Sequence, residues 1–249
     1  MSEKKVWFRF YEELNDFLPK KRKKVRFQIE CEQKQSVKDA IEALGIPHTE
    51  IDLILVNGQS VSFDYHILPD DKISVYPVFE SLDISRVTRL RNKPLRIPSF
   101  ILDVHLGKLA KYLRMTGFDT LYENWFDDSE IVEISIRENR IILTRDVGLL
   151  KHKTVTHGYW IRSQKPMEQF TETARRFDLF SKFKPFRRCT VCNGLVKKTS
   201  KQSVIHQLKP RTKIYYNEFF KCSSCGKAYW KGSHFERMQK LIFELADVG

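Results

Sequence analysis

Apolar and polar residues recur at two different periods along this chain, and the change from one to the other divides it. KVWFRFY (residues 5–11) alternates with a period of two, interrupted by Trp7. KKVRFQIE (23–30) sets Val25, Phe27 and Ile29 against Lys24, Arg26 and Gln28. That alternation predicts strands with one buried face. The PKKRKK between them reads as a solvated connection. In QSVKDAIEALGI (35–46), Val37, Ala40, Ile41 and Leu44 share a helical face, with Ser36 as cap and Gly45 as stop. LILVNGQSV predicts a strand, an Asn57-Gly58 turn and a return strand, and DKISVYPV a last strand. From residue 99 short apolar strands alternate with amphipathic helices. FIL is followed by HLGKLAKYLRMTG, with Leu106, Leu109, Ala110 and Leu113 on one face. DTLYE is followed by DDSEIVEISIREN, whose acidic first turn suits a helix N-terminus. RIILT precedes the short helix of RDVGLLKH, and HGYWIRS precedes KPMEQFTETARRFDLF, with Pro166 early. Repeated strand–helix units predict a parallel sheet with helices on both faces.

The predicted organisation is therefore multidomain, α+β followed by α/β: a small α+β unit over 1–80, a basic linker over 81–98, an α/β unit over 99–184 and a cysteine-bearing unit with a last helix over 185–249. The ββαββ order of the first, with its Asn-Gly turn, resembles the ubiquitin-like β-grasp fold of sulfur-carrier proteins. Those carriers end in Gly-Gly, whereas this chain runs on through YPVFESLDISR. The expectation is a binding or scaffolding role with a protein partner. In the linker, Arg86, Arg89, Arg91, Lys93 and Arg96 fall between Ile84 and Phe100 without an acid, and Pro94 and Pro98 discourage a helix. The readings are a solvated tether or an arm on a nucleic acid backbone.

Charge sharpens the division. The 249 residues carry 44 Lys/Arg and 31 Asp/Glu, a net +13. Residues 1–80 hold 12 basic and 14 acidic residues, a net of −2, which leaves 32 and 17, a net of +15, for the remainder. Basic surfaces attract polyanions and release their counterions, so RNA or DNA is favoured over an anionic metabolite. No run approaches the ~18 apolar residues of a membrane helix. MSEKKVWFRF has no signal-peptide core before its first charges. A soluble cytoplasmic protein, with no membrane partner, is expected.

Four of the five cysteines form two CxxC pairs: Cys189 with Cys192, and Cys222 with Cys225. Two such turns can supply four thiolates to one tetrahedral Zn²⁺. Four thiolates leave no open coordination position, so this zinc is expected to be structural. Gly194 and Gly226 are expected to supply the positive φ of each knuckle. Cys31 reads as a thiol without a role. Between Leu179 and Glu218 there are ten Lys/Arg and no acid, with Phe183, Phe186, Tyr215 and Tyr216 among or beside them. Basic and aromatic residues together suit single-stranded nucleic acid, and Arg187 and Arg188 are candidate contacts. About half of those aromatics are expected in the ribbon's own core.

The acids are informative by position. In an open parallel sheet, sites lie beyond the carboxyl ends of the strands. Asp103 follows FIL, Asp127 and Asp128 follow DTLYE, and Asp146 follows RIILT. Each could be a helix cap, and Asp127 with Glu130 fits a capping box. Together, Asp103, Asp128 and Asp146 could hold Mg²⁺ or Mn²⁺, which prefer oxygen ligands. FILDVHLGKLAKYLRMTGFDT, DDSEIVEISIRENRIILTRDVGLL, the paired CTVC and CSSC, and YWKGSHFERM resemble the mut-seven C-terminal RNase family over roughly residues 98–240. That resemblance implies a PIN-type nuclease domain with a zinc ribbon, fused to a ubiquitin-like domain. It implies Asp103, Asp128 and Asp146 as metal-site positions for RNA hydrolysis. Lys108, Arg114 and Arg145 become candidate phosphate contacts, and Lys231, beside Trp230 and His234, a candidate substrate contact. PIN nucleases commonly carry a fourth acid after the next strand. Here that strand ends WIRSQKP, which leaves Glu130 or Glu133 as alternatives. A non-catalytic RNA-binding or ribosome-associated protein is the competing expectation.

Overall fold

Successive side chains of a strand point to opposite faces, so Phe8 and Phe10 share one face of β1 (Lys4–Phe10), their rings stacked 5.6 Å apart. Both are buried and belong to the core of a five-stranded mixed sheet. The computed structural model describes residues 4–32, 34–77, 88–90 and 98–246. Its contacts group the chain into two compact units: Met1–Ile97 with Ser135–Trp160, and Pro98–Ile134 with Ile161–Gly249.

In the first unit, β1 pairs antiparallel with β2 (Phe27–Cys31). Helix α1 (Val37–Ala43) follows, then β3 (Ile51–Val56), β4 (Gln59–Ser60) and β5 (Lys72–Pro77). The order is β2-β1-β5-β3-β4, with β1 and β5 parallel through Phe8↔Ile73. Ser36 caps α1, its hydroxyl accepting from the Asp39 N–H at 3.1 Å. The β3–β4 hairpin turns through Asn57 (φ 50°) and Gly58 (φ 84°), the two positive φ values of a type I′ turn. Val25 departs from the predicted alternation. It is 47% exposed, because Lys24 turns the chain at φ 58° and the strand begins only at Phe27. Cys31 is a buried core thiol. Of the predicted linker, Thr88 donates to the Asp52 carbonyl and Leu90 packs on the β-grasp core. Arg86, Arg91, Lys93 and Arg96 lie outside the described residues.

Strand β6 (Phe100–Leu102) pairs in parallel with β7 (Thr120–Leu121), and α2 (Gly107–Met115) connects them. Helix α3 (Asp128–Glu138) leads to β8 (Ile141–Thr144), which returns to the first unit. All four β8 residues are buried, as expected of a strand covered on both faces. After the short α4 (Val147–Leu150), β9 (Gly158–Trp160) pairs with β8 in parallel, Thr144 opposite Trp160. In the second unit, α5 (Pro166–Arg176) packs on α2. The ribbon follows: β10 (Val196–Thr199), α6 (Pro210–Tyr215), β11 (Phe219–Cys222) and β12 (Ala228–Trp230), its strands antiparallel in the order β10-β11-β12. Helix α7 (Ser233–Ala246) closes the described chain, with the Phe235 ring tilted against Phe186 at 4.3 Å. The β-grasp, parallel α/β and ribbon classes expected from the sequence are all present.

Candidate metal centre and acidic strand ends

The two knuckles place the sulfurs of Cys189, Cys192, Cys222 and Cys225 within 4.8 Å of one another. Cys192 and Cys222 are 3.5 Å apart, and Cys189 and Cys225 3.7 Å. A tetrahedron of Zn–S bonds of 2.3 Å has sulfurs about 3.8 Å apart, so both spacing and ligand chemistry fit zinc. Gly226 adopts φ +72°, as expected, but in the first knuckle the positive φ belongs to Asn193, at +67°. Gly194 serves close approach instead: a Cβ there would lie 2.8 Å from the Cys222 sulfur and 2.4 Å from the Ser224 hydroxyl.

Charge within the quartet is uneven. Burial works to raise the Cys189 thiol. The Tyr229 hydroxyl, 2.9 Å from its sulfur, and the backbone N–H groups of Cys192 and Val191 outweigh it and bring the thiol down to about 7. Burial pushes Cys192 up to about 12 and also raises Cys225. Of these three, Cys189 is the thiol readiest to ionise and receive a cation.

Two residues expected on the RNA-facing surface are held by bonds within the protein. Arg114 is 3% exposed and its guanidinium donates to three carbonyls: Thr120 at 2.9 Å, Val191 at 2.7 Å and Tyr122 at 3.2 Å. It ties α2 to β7 and to the first knuckle, which corrects its reading as a phosphate contact. Burial lowers its pKa, against the pull of nearby Glu123. Arg188 pairs with Asp119 at 2.8 Å and donates to the Asn193 carbonyl at 3.1 Å. Its guanidinium therefore holds the knuckle, not a phosphate. Asn193 completes the tie, donating to Asp119 at 2.8 Å and accepting from the Thr120 N–H at 3.0 Å. Lys108, Arg145 and Arg187 are exposed. Lys231 is exposed and pairs with Glu218 at 2.8 Å, and Lys198 reaches the same carboxylate at 3.1 Å. Lys231, followed by Lys198, holds Glu218 below the usual carboxylate range. Of the four aromatics named in the basic stretch, Phe183 packs on Phe118 and Phe170, Phe186 on Phe235, and Tyr216 on the ribbon core. Tyr215 is 74% exposed.

Asp103 follows β6 and is 8% exposed, its Oδ1 facing the His105 N–H at 3.4 Å. Asp128 is exposed at the first position of α3, and the cap falls to Asp127. Asp127 Oδ1 accepts from the Glu130 N–H at 2.8 Å, while Glu130 accepts from the Asp127 N–H at 3.1 Å. The predicted capping box is therefore formed. The Ser129 hydroxyl and the Glu130 amide hold the Asp127 carboxyl below its ordinary value. Asp146 caps α4, its Oδ1 accepting from the Gly148 N–H at 2.7 Å. Asp103 and Asp128 belong to the second unit and Asp146 to the first. Among the described residues, the cysteine quartet is the group of metal-capable side chains close enough to share an ion.

Tyr229 was not singled out by sequence reasoning, although its position four residues after Cys225 marks it. Glu50 and Trp160 were missed as a pair and carried no signal, since the carboxylate and the N–H it accepts from lie 110 residues apart. A family model described as Mut7-C RNAse domain matches residues 98–242, and one described as Mut7-C ubiquitin matches residues 3–83. No curated protein and no solved structure matches the chain. None of the described helices is long and apolar enough to cross a membrane.

Proposed function

Because the chain belongs to the Mut7-C RNAse domain family, with a Mut7-C ubiquitin domain ahead of it, we propose that it is a metal-dependent ribonuclease acting in the cytoplasm. The observation that carries this reading is the family match over residues 98–242, which contains Asp103, Asp128 and Asp146. Asp103 follows β6 directly, Asp146 lies two residues beyond the end of β8, and Asp128 opens the helix after β7. Their carboxylate oxygens are the hard ligands that Mg²⁺ or Mn²⁺ prefers, so each of the three is a candidate ligand of such an ion. The ion would supply Lewis acidity to a phosphate oxygen and to a water molecule.

The chain's own residues do the remainder. Arg145, exposed beside Asp146, and Lys108, exposed on α2, attract the phosphates flanking the cleaved bond. Arg187, Lys231 and the ribbon lysines hold the strand further along, and Tyr215 offers a ring for base stacking. Zn²⁺ on the four cysteines shapes the ribbon without taking part in hydrolysis. The ubiquitin-like domain supplies a surface for a protein partner.

Purified protein, labelled RNA and Mn²⁺ test the reading. Asp103→Asn and Asp146→Asn are each expected to slow cleavage by about 10²-fold or more. Cleavage by Asp146→Asn as fast as by the unaltered protein would remove the assignment. A second reading, a non-catalytic RNA binder, is favoured by the caps that Asp103 and Asp146 already form. It predicts salt-sensitive RNA binding without metal-dependent turnover.

A further inference from the structure

Trp160 ends β9, and residues far away in sequence hold it. Its backbone N–H donates to Glu50 Oε1 at 2.6 Å. Its ring lies against Phe17, with centroids 4.9 Å apart. Its indole N–H donates to the Arg145 carbonyl at 3.2 Å. That carbonyl and the Asp146 N–H are the two ends of one planar peptide group. The N–H end donates to Thr144 Oγ1 at 2.8 Å. The peptide that carries Asp146 is therefore gripped from both ends, and one grip is Trp160.

Glu50 and Phe17 both lie in the part matched as a Mut7-C ubiquitin domain. Glu50 is 0% exposed. A carboxyl so deeply buried needs hydrogen bonds in place of its hydration, and the Trp160 N–H supplies one to Oε1. Further ties fasten the same segment. His48 Nε2 donates to the Val155 carbonyl at 2.7 Å, with Nδ1 bonded to Glu42 at 2.6 Å. Lys151 Nζ donates to the Glu42 carbonyl at 2.9 Å. Strand β9 pairs with β8 on one side, and at Trp160 its N–H is taken by the ubiquitin-like domain. An edge left bare there would expose unpaired backbone.

We propose that Glu50, acting through Trp160, is a positioning residue for Asp146: the ubiquitin-like domain aims an acid of the nuclease site. The catalytic consequence rests on the ribonuclease reading above, whereas the mechanical coupling does not. Displacing a metal-holding acid by about 1 Å can cost about 10²-fold in rate.

The test uses the full chain in four forms: unaltered, Glu50→Ala, Glu50→Gln and Trp160→Phe. Trp160→Phe keeps a ring on Phe17 and deletes the indole donor alone, so it remains decisive if Glu50→Ala does not fold. Amide hydrogen exchange at Asp146 is measured beside kcat and KM for RNA with Mn²⁺. Glu50→Ala and Trp160→Phe are expected to speed Asp146 exchange by about tenfold. Both should lower kcat by about tenfold to a hundredfold with KM unchanged. Glu50→Gln, which retains an acceptor oxygen, should restore both quantities. Asp146 exchange and kcat unchanged in Trp160→Phe would overturn the proposal. If even the unaltered protein cleaves no RNA, the ribonuclease reading falls. Exchange then decides the coupling alone, with faster exchange supporting it and unchanged exchange refuting it.

Discussion

Arg114 shows how one side chain's role turns on its angular place around a helix. Lys108, Lys111 and Arg114 are spaced by three, and each step of three falls about 60° short of a full turn. Two steps carry the position about 120° round, from the exposed Lys108 to the buried side. There the guanidinium meets the carbonyls of Thr120, Val191 and Tyr122. Arg114→Met should therefore destabilise the protein by about 2–3 kcal/mol, read from urea midpoints, and leave the salt dependence of RNA binding unchanged. Tyr229 is the corresponding case at the metal centre. Its hydroxyl lowers the Cys189 thiol against the effect of burial. Protons compete with Zn²⁺ for thiolates, so zinc loading should fall as the pH is lowered. In Tyr229→Phe the Cys189 thiol rises, and the pH of half-release, followed with a chromogenic chelator, should move upward.

At the scale of the element, the caps separate stability from chemistry. Ser36→Ala should cost the β-grasp domain about 1 kcal/mol, measured by denaturant unfolding, because the Asp39 N–H loses its acceptor. Helix α3 gives a sharper division between adjacent acids. Asp127 forms the capping box with Glu130. Asp127→Ala should lower the melting temperature while cleavage persists, and Asp128→Asn should abolish cleavage with little change in melting. The reverse pattern would reassign both residues. Most elements were legible, since period-two and period-3.6 patterns follow from the same geometry that buries a strand face or a helix stripe. Val25 was misread because the alternation continues past the turn at Lys24, where the backbone leaves the strand.

For the whole molecule, the net +13 is the sum of a nearly neutral β-grasp region and a strongly basic remainder. Phosphate attraction and base stacking should be separable on the ribbon. Lys209, Arg211 and Tyr215 are all exposed on or beside α6. Lys209→Gln with Arg211→Gln should flatten the plot of log affinity against log salt by about 0.7 for each phosphate no longer neutralised. Tyr215→Ala should weaken single-stranded RNA binding by about tenfold without changing that slope. Titration at several salt concentrations measures both.

The local periods, the Asn57-Gly58 turn, the CxxC pairs and the acids at strand ends were set by the sequence itself, because each depends on neighbours a few residues away. Tertiary structure alone decided that Arg114 is buried, that Arg188 pairs with Asp119, that Asn193 takes the turn expected of Gly194, and that Glu50 reaches the N–H of Trp160. These outcomes depend on which carbonyls, carboxylates and amides come within about 3 Å after distant segments pack, and no local pattern encodes such meetings.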